Sequence, residues 1–337
     1  MTMKPRSGLL PLGLLLVLPL LLGSAIAAPR DPVRFVGLLE QMRGHYDAML
    51  SNLGRGDRTL ALKHSRHPAN ELYAAVKADL SPALQGKFVK DFQRIGALLD
   101  ARRPADEVGA ALKVFFADVD AAIATLPAAT RNDPKFRARV ISTILGNTKT
   151  EYGEGVVGGK VANLAEYQDA GFYLQRAGGW LSRSLGQFPA DQGGQAAAAL
   201  KAAVELHRAK ADPSAFNTQL DRARTELAEI SGDPLPASAG TAAAFDSIQG
   251  LLNTARGHYS AGRTDAANEA LISAYLDHFE GLEGPLAARN KALEGTLEVA
   301  LSRDLRGLVR QKVSPARFGA ALDATLRDLA TAKGLLQ

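Results

Sequence analysis

Residues 271–286 read LISAYLDHFEGLEGPL, and their spacing decides the fold class. Leu271, Tyr275, Phe279, Leu282 and Leu286 step by four, four, three and four, so on a helix they form one buried stripe. The acids fall to one side of it. With Phe279 as zero, Glu283 lies at about 40°, Glu280 at about 100° and Asp277 at about 160°, a slanted row running from the stripe edge towards solvent. Glu280 and Glu283 can therefore converge on one ion. His278, at about −100°, lies on the other flank and needs ligands from a neighbouring helix. Two carboxylates at i and i+3 suit a hard cation such as iron, manganese or calcium better than a thiophilic metal. The same spacing also fits a solvated acidic face paired with Arg289 or with a neighbouring helix.

Working outward, apolar residues recur at three and four spacings, as in Phe35, Leu38, Leu39, Met42 and in Leu297, Leu301, Leu305, Leu308, and strand-like alternation is almost absent. Pro and Gly punctuation at 127–134 and 231–241 cuts the chain into segments 28–130, 131–235 and 241–337. Arg43-Gly44-His45-Tyr46 returns as Arg256-Gly257-His258-Tyr259, with Lys149-Thr150-Glu151-Tyr152 between them. Each segment reads as helix, Tyr-containing turn, helix, break and two more helices, enough for a small bundle. The predicted fold is all-α: three related up-and-down helical bundles in tandem.

The N-terminus predicts export. Lys4 and Arg6 form a positive start, Leu9 to Leu22 is apolar, and Ala25-Ile26-Ala27 has the small-x-small form of a signal-peptide cleavage site. The apolar stretch contains Pro11 and Pro19 and is shorter than the roughly 20 residues that cross a bilayer as a helix. Cleavage after Ala27 leaves 38 cations against 35 acids and no later stretch apolar enough to span a membrane. The mature chain is thus expected to be periplasmic or otherwise extracytoplasmic.

Composition excludes several classes. With no cysteine, disulfide frameworks, Cys-based zinc sites, iron–sulfur clusters, c-type haem and thiol catalysis are absent. The balance of 40 Lys+Arg against 35 Asp+Glu is too even for a nucleic-acid binder. Gly153-Glu154-Gly155-Val156-Val157-Gly158-Gly159-Lys160 fails as a nucleotide-phosphate loop, because Glu154 and Val161 stand where the pattern needs Gly and Ser/Thr. No nucleophile-elbow or zincin spacing occurs, so nothing supports an enzyme.

Other candidates are weaker. In the helix Asn163 to Leu181, Glu166 and Asp169 stand one turn apart beside an apolar stripe, and the pair either binds a metal or faces water. His64, His67 and Glu71 have i, i+3, i+7 spacing, but Pro68 is expected to open a new helix, leaving His64 in the preceding loop and His67 as a cap. His45 and His258 are expected to make structural contacts at turns, and His207 shows no partner.

Two stretches carry a resemblance. EYGEGVVGGKVANLAEYQDAGFYL (151–174) and AYLDHFEGLEGPLAARNKALEGTLEVAL (274–301) resemble, in order, motifs of the extracytoplasmic domain of bacterial high-affinity iron permeases, the iron and lead transporter family. The similarity covers about residues 137–337, and residues 28–136 have no counterpart beyond the internal repeat. That family's domain is followed by a membrane permease with Arg-Glu-Gly-Leu-Glu motifs. Phe279-Glu280-Gly281-Leu282-Glu283 matches those by letters but lacks the Arg, so the transport role is not transferred to it. The resemblance implies an exported, non-enzymatic protein that binds iron or delivers it to a separate membrane permease. Glu280 and Glu283 are then the first ligand candidates, Glu166, Asp169 and Asp277 the next, and His278 an inter-helix candidate. The alternative is an envelope interaction module whose acids pair with arginines.

Overall fold

The computed structural model describes residues 29–233 and 240–337; the expected signal peptide and most of the break between the second and third segments lie outside them. The described chain is helical apart from a two-residue hairpin pairing Val156 with Val161 and Val157 with Lys160.

The first segment holds α1 (Pro32–Gly54), α2 (Arg58–His67), α3 (Tyr73–Val76), α4 (Pro82–Asp100) and α5 (Ala105–Ala124). A short α6 (Ala128–Asn132) leads to α7 (Pro134–Gly155), the hairpin, α8 (Leu164–Ser184), α9 (Ala190–Arg208) and α10 (Pro213–Ser231). The last segment is α11 (Thr241–Ser260), α12 (Thr264–Ser273), α13 (Glu280–Val299), α14 (Leu305–Arg310) and α15 (Pro315–Leu336). Helices α1, α4, α7, α10 and α15 all begin at Asp-Pro or Ser-Pro. The Asp or Ser side chain accepts from first-turn amides, and the proline occupies a position whose N–H has no helical partner.

The three segments repeat one construction. Arg102, Lys210 and Lys312, each just past the end of a helix, adopt φ of 52°, 52° and 51°, and a proline follows within three residues. Such left-handed turns cost a side-chain-bearing residue about 1 kcal/mol, so their recurrence is informative. The tyrosine at the end of α7 and that of α11 tie down these turns: Tyr152 Oη donates to Ala211 O and Tyr259 Oη to Val313 O, both at 2.7 Å. Their rings pack on Phe216 and Phe318. Tyr46 packs edge-on against Phe115 instead. It lies inside α1, not at a turn, and so does His45. Gly44 is there for close approach, since a Cβ would come within 2.5 Å of the Tyr173 ring of α8.

Because α1 packs on both α7 and α8, the apolar cores of the first two segments merge into one, while α11–α15 enclose their own. No described helix is long and apolar enough to cross a membrane.

Candidate metal centre

Three π-helical turns interrupt the regular helices where the bundles meet: Pro68–Leu72, Ala274–Phe279 and Ala300–Asp304. A π-turn is a wide turn with a shifted hydrogen-bond ladder, and such turns cluster at functional sites. The first corrects a sequence expectation. The helical run continues through Pro68, because the loosened turn relieves the clash between the proline ring and the preceding turn. His64 is therefore a buried helical residue, not part of a loop, and His67 faces the bundle junction. The second alters the acidic row of 277–283, since 100° per residue does not hold across 274–279. A further irregularity is Asn290, with φ −155° and ψ 89°, which breaks α13. Its side chain accepts from Leu293 N and starts the second half at a new angle.

The result is a cavity of about 470 Å³ to which all three bundles contribute. α2 and the first π-turn bring Lys63, His67 and Glu71. The end of α7 brings Glu151 and Glu154, and the start of α8 brings Asn163 and Glu166. The C-terminal bundle adds Tyr275, Glu280, Glu283, Lys291, Glu294 and Glu298, the last three from beyond the Asn290 break. Eight glutamates thus face two lysines and one histidine, and no arginine lines the wall among the described residues. Close packing of α13 on α7 depends on Gly284, where a Cβ would lie 2.8 Å from Glu154 Cα.

Two of these acids have local partners. Lys63 Nζ donates to Glu166 Oε1 at 2.8 Å, and His67 Nδ1 lies 3.3 Å from Glu71 Oε2. Burial works against ionisation of Glu166, yet Lys63 and His67 outweigh it and hold this carboxyl below its ordinary value. The opposite holds for the rest. Burial, reinforced by neighbouring carboxylates, pushes Glu151, Glu154 and Glu283 well above the usual range and Glu280 up to about 8. Glu294 and Glu298 are raised for the same reason. The Oε1 atoms of Glu154 and Glu283 are buried with no hydrogen-bond partner, and Glu283 as a whole is only 9% exposed. An orphaned buried carboxylate oxygen is costly, and the arrangement is one that a cation satisfies. Behind the C-terminal wall the buried guanidinium of Arg306 donates to Ser302 O, with burial lowering its pKa to about 10.

Directly behind the cavity lies a second polar cluster of different character. Asp169, fully buried, has His64 Nδ1 at 3.1 Å from one oxygen and His45 Nδ1 at 3.0 Å from the other. His45 Nε2 meets Tyr173 Oη at 2.8 Å, and His64 Nε2 meets Gln168 Oε1 at 2.9 Å. The Gln168 orientation is fixed through Asn52, whose amide donates to both Gln168 Oε1 and Ala48 O while its oxygen accepts from Arg55. His64 thus has an acceptor oxygen beside each ring nitrogen. Burial opposes ionisation of Asp169, but the two histidines outweigh it and hold it far below the carboxylate range. The His67 ring packs 4.8 Å from that of His45 and links the cluster to the cavity.

Of the residues singled out from the sequence, Glu166, Glu280 and Glu283 meet in the cavity. Asp169 sits one turn behind, bound by histidines. Both Glu166 and Asp169 are buried and neither is a solvated acid. Asp277 lies outside, accepting from Arg34 and Ser273, and His278 does not line the cavity. Sequence reasoning weighed Glu71 only with His64 and His67 and passed over Glu151, Glu154, Glu294 and Glu298, which also line the cavity. The i, i+3 pair Glu151/Glu154 had the same spacing as Glu280/Glu283 and was available to find. His207, without visible partner in the sequence, donates from Nε2 to Tyr167 O and stacks on the Tyr167 ring at 4.3 Å.

Residues 127–234 match the family model of the iron permease-associated 4-helix bundle domain. The matched range is α6–α10, and it contributes Glu151, Glu154 and Glu166 to the cavity. No curated protein and no solved structure matches the chain. The similarity therefore rests on the middle bundle: this segment is similar to the four-helix domain associated with iron permeases.

Proposed function

We propose that this is an exported helical protein that holds a hard cation of the iron class in the cavity between its bundles and delivers it to a membrane permease. The observation that carries the reading is the pair of buried, unpartnered carboxylate oxygens, Glu154 Oε1 and Glu283 Oε1, in a wall of eight glutamates. All-oxygen donor sets suit hard cations, and the match of α6–α10 to an iron permease-associated domain supports iron as the cargo. A docking module would instead pair its acids with arginines, whereas this cavity offers two lysines and a histidine to eight acids.

Calorimetric titration with anaerobic Fe(II), Fe(III)-citrate, Mn(II) and Zn(II) tests the reading. Saturable binding is expected from the parent, and loss of at least about 100-fold in affinity, roughly 2.7 kcal/mol, from a folded Glu280→Ala/Glu283→Ala variant. Parent binding no tighter than about millimolar would remove the cation reading.

A further inference from the structure

The cluster behind the cavity leaves two polar atoms unmatched. His45 Nδ1 and Asp169 Oδ1 lie 3.0 Å apart, yet the contact lacks hydrogen-bond alignment, and neither atom has another partner among the described residues. His45 is 3% exposed and Asp169 not at all, so both atoms are orphaned in a dry interior, which is costly. His64 carries a related mismatch. Its Nδ1 lies 3.1 Å from Asp169 Oδ2 and its Nε2 lies 2.9 Å from Gln168 Oε1, an oxygen whose orientation Asn52 fixes. A neutral imidazole donates from one nitrogen only, so one of these contacts sets a lone pair against an oxygen. With Nε2 donating to Gln168, the lone pair is the one on Nδ1, and it points at Asp169.

A cation among these atoms resolves both mismatches. His45, His64 and Asp169 each present a ligand atom within 4.8 Å of the others. Ligand atoms about 2.1 Å from one ion stand roughly 3.0–3.4 Å apart, and the nitrogen–oxygen separations here are 3.0 and 3.1 Å. The outer ring nitrogens are held as those of metal-ligating imidazoles are, His45 Nε2 by Tyr173 Oη at 2.8 Å and His64 Nε2 by Gln168. The three ligands come from α1, α2 and α8, and Gly44 under the Tyr173 ring lets α1 approach α8 at this level. The neighbouring trio of His67, Glu166 and Asp169 is as close, but Lys63 already holds Glu166 and Glu71 stands beside His67.

We propose that His45, His64 and Asp169 bind one resident divalent cation, separate from the glutamate cavity, that clamps α1, α2 and α8 together. Two imidazoles and a carboxylate suit a borderline metal of the zinc or ferrous class, whereas the glutamate wall suits a harder ion. The clamp is structural, and it does not depend on the cargo reading above.

Zn(II) is the probe. Tag-free protein is stripped with chelator, loaded with one equivalent of Zn(II), desalted, and measured for zinc content, for Tm and by X-ray absorption at the zinc edge. The parent is expected to retain the ion, to show scattering from two imidazoles and to melt several degrees above the stripped protein. Glu280→Ala/Glu283→Ala should behave the same, because it alters only the cavity. His64→Gln should lose at least the roughly 100-fold in affinity that removing even a supporting residue can cost. No retained zinc in the parent, or zinc with fewer than two imidazoles, overturns the clamp. Zinc kept by His64→Gln and lost by Glu280→Ala/Glu283→Ala also overturns it and puts the ion in the cavity. The parent spectrum decides the question even if a variant fails to fold.

Discussion

Glu283 and Asp169 are both buried carboxylates near one bundle junction, and their surroundings are opposite. Asp169 has an imidazole nitrogen within 3.1 Å of each oxygen, His64 Nδ1 hydrogen-bonded and His45 Nδ1 in close contact without hydrogen-bond alignment, and those imidazoles are in turn held by Tyr173 and by the Gln168–Asn52 pair. Glu283 also has an oxygen without a hydrogen bond, but no imidazole stands beside it and the charges that act on it are other glutamates. A buried carboxylate flanked by imidazoles that are themselves anchored rigidifies a fold, while one surrounded by like charges is satisfied only when something else arrives. The Asp169 cluster is accordingly the scaffold that fixes α1, α2 and α8, and the glutamate wall is the place where a ligand completes the structure.

That contrast breaks first at Asp169. Asp169→Ala leaves two buried histidines facing each other without their acceptor, and should cost about 3–5 kcal/mol in denaturant unfolding. A loss below about 1 kcal/mol would mean the cluster is not a scaffold.

The next effect is on pH dependence. Carboxyls raised by burial contribute stability that is present below their unfolded value of about 4.3 and lost as pH climbs through the folded value, which for Glu280 is about 8. The cation-free protein should therefore lose several degrees of Tm between pH 5 and 8, less steeply in Glu283→Gln, and Mn(II) should restore the loss. The depressed Asp169 acts with opposite sign, its contribution being present above the unfolded value and lost only in strong acid. A Tm that rises from pH 5 to 8 would contradict the assignment of unpaired acids.

Gly284→Ala probes the wall itself. The new methyl group meets Glu154 Cα at 2.8 Å, so α13 must shift from α7, at a cost of about 1–3 kcal/mol and with weaker cation binding. Unchanged affinity would show that the α7–α13 spacing does not set the site. Asp277→Ala should do least. It removes a half-exposed pair with Arg34, worth under about 1 kcal/mol, and should leave Mn(II) affinity unchanged. A tenfold loss there would bring Asp277 into the centre.

Much of the fold was legible because periodicity and punctuation are local. The stripe of Leu271, Tyr275, Phe279, Leu282 and Leu286 is buried as its spacing implied, and Asp-Pro and Ser-Pro pairs start five helices. The site was half legible. Glu166, Glu280 and Glu283 stood out because each belongs to an i, i+3 acidic pair beside an apolar stripe. Glu294 and Glu298 join them only because Asn290 breaks α13, a backbone event with no strong signature in the sequence. His64 and His67 were misplaced because Pro68 reads as a helix start unless a π-turn absorbs it. Asp277, which its spacing put at the solvent end of the row, is exposed and pairs with Arg34 outside the cavity. Convergence of three bundles on one cavity is a tertiary fact that no single helix encodes.

The most direct measurement is an anomalous difference map at the manganese edge from crystals grown with saturating Mn(II). The account predicts peaks inside the cavity, bounded by the carboxylates of Glu151, Glu154, Glu280 and Glu283. A map with an empty cavity and manganese only at surface acids would contradict it.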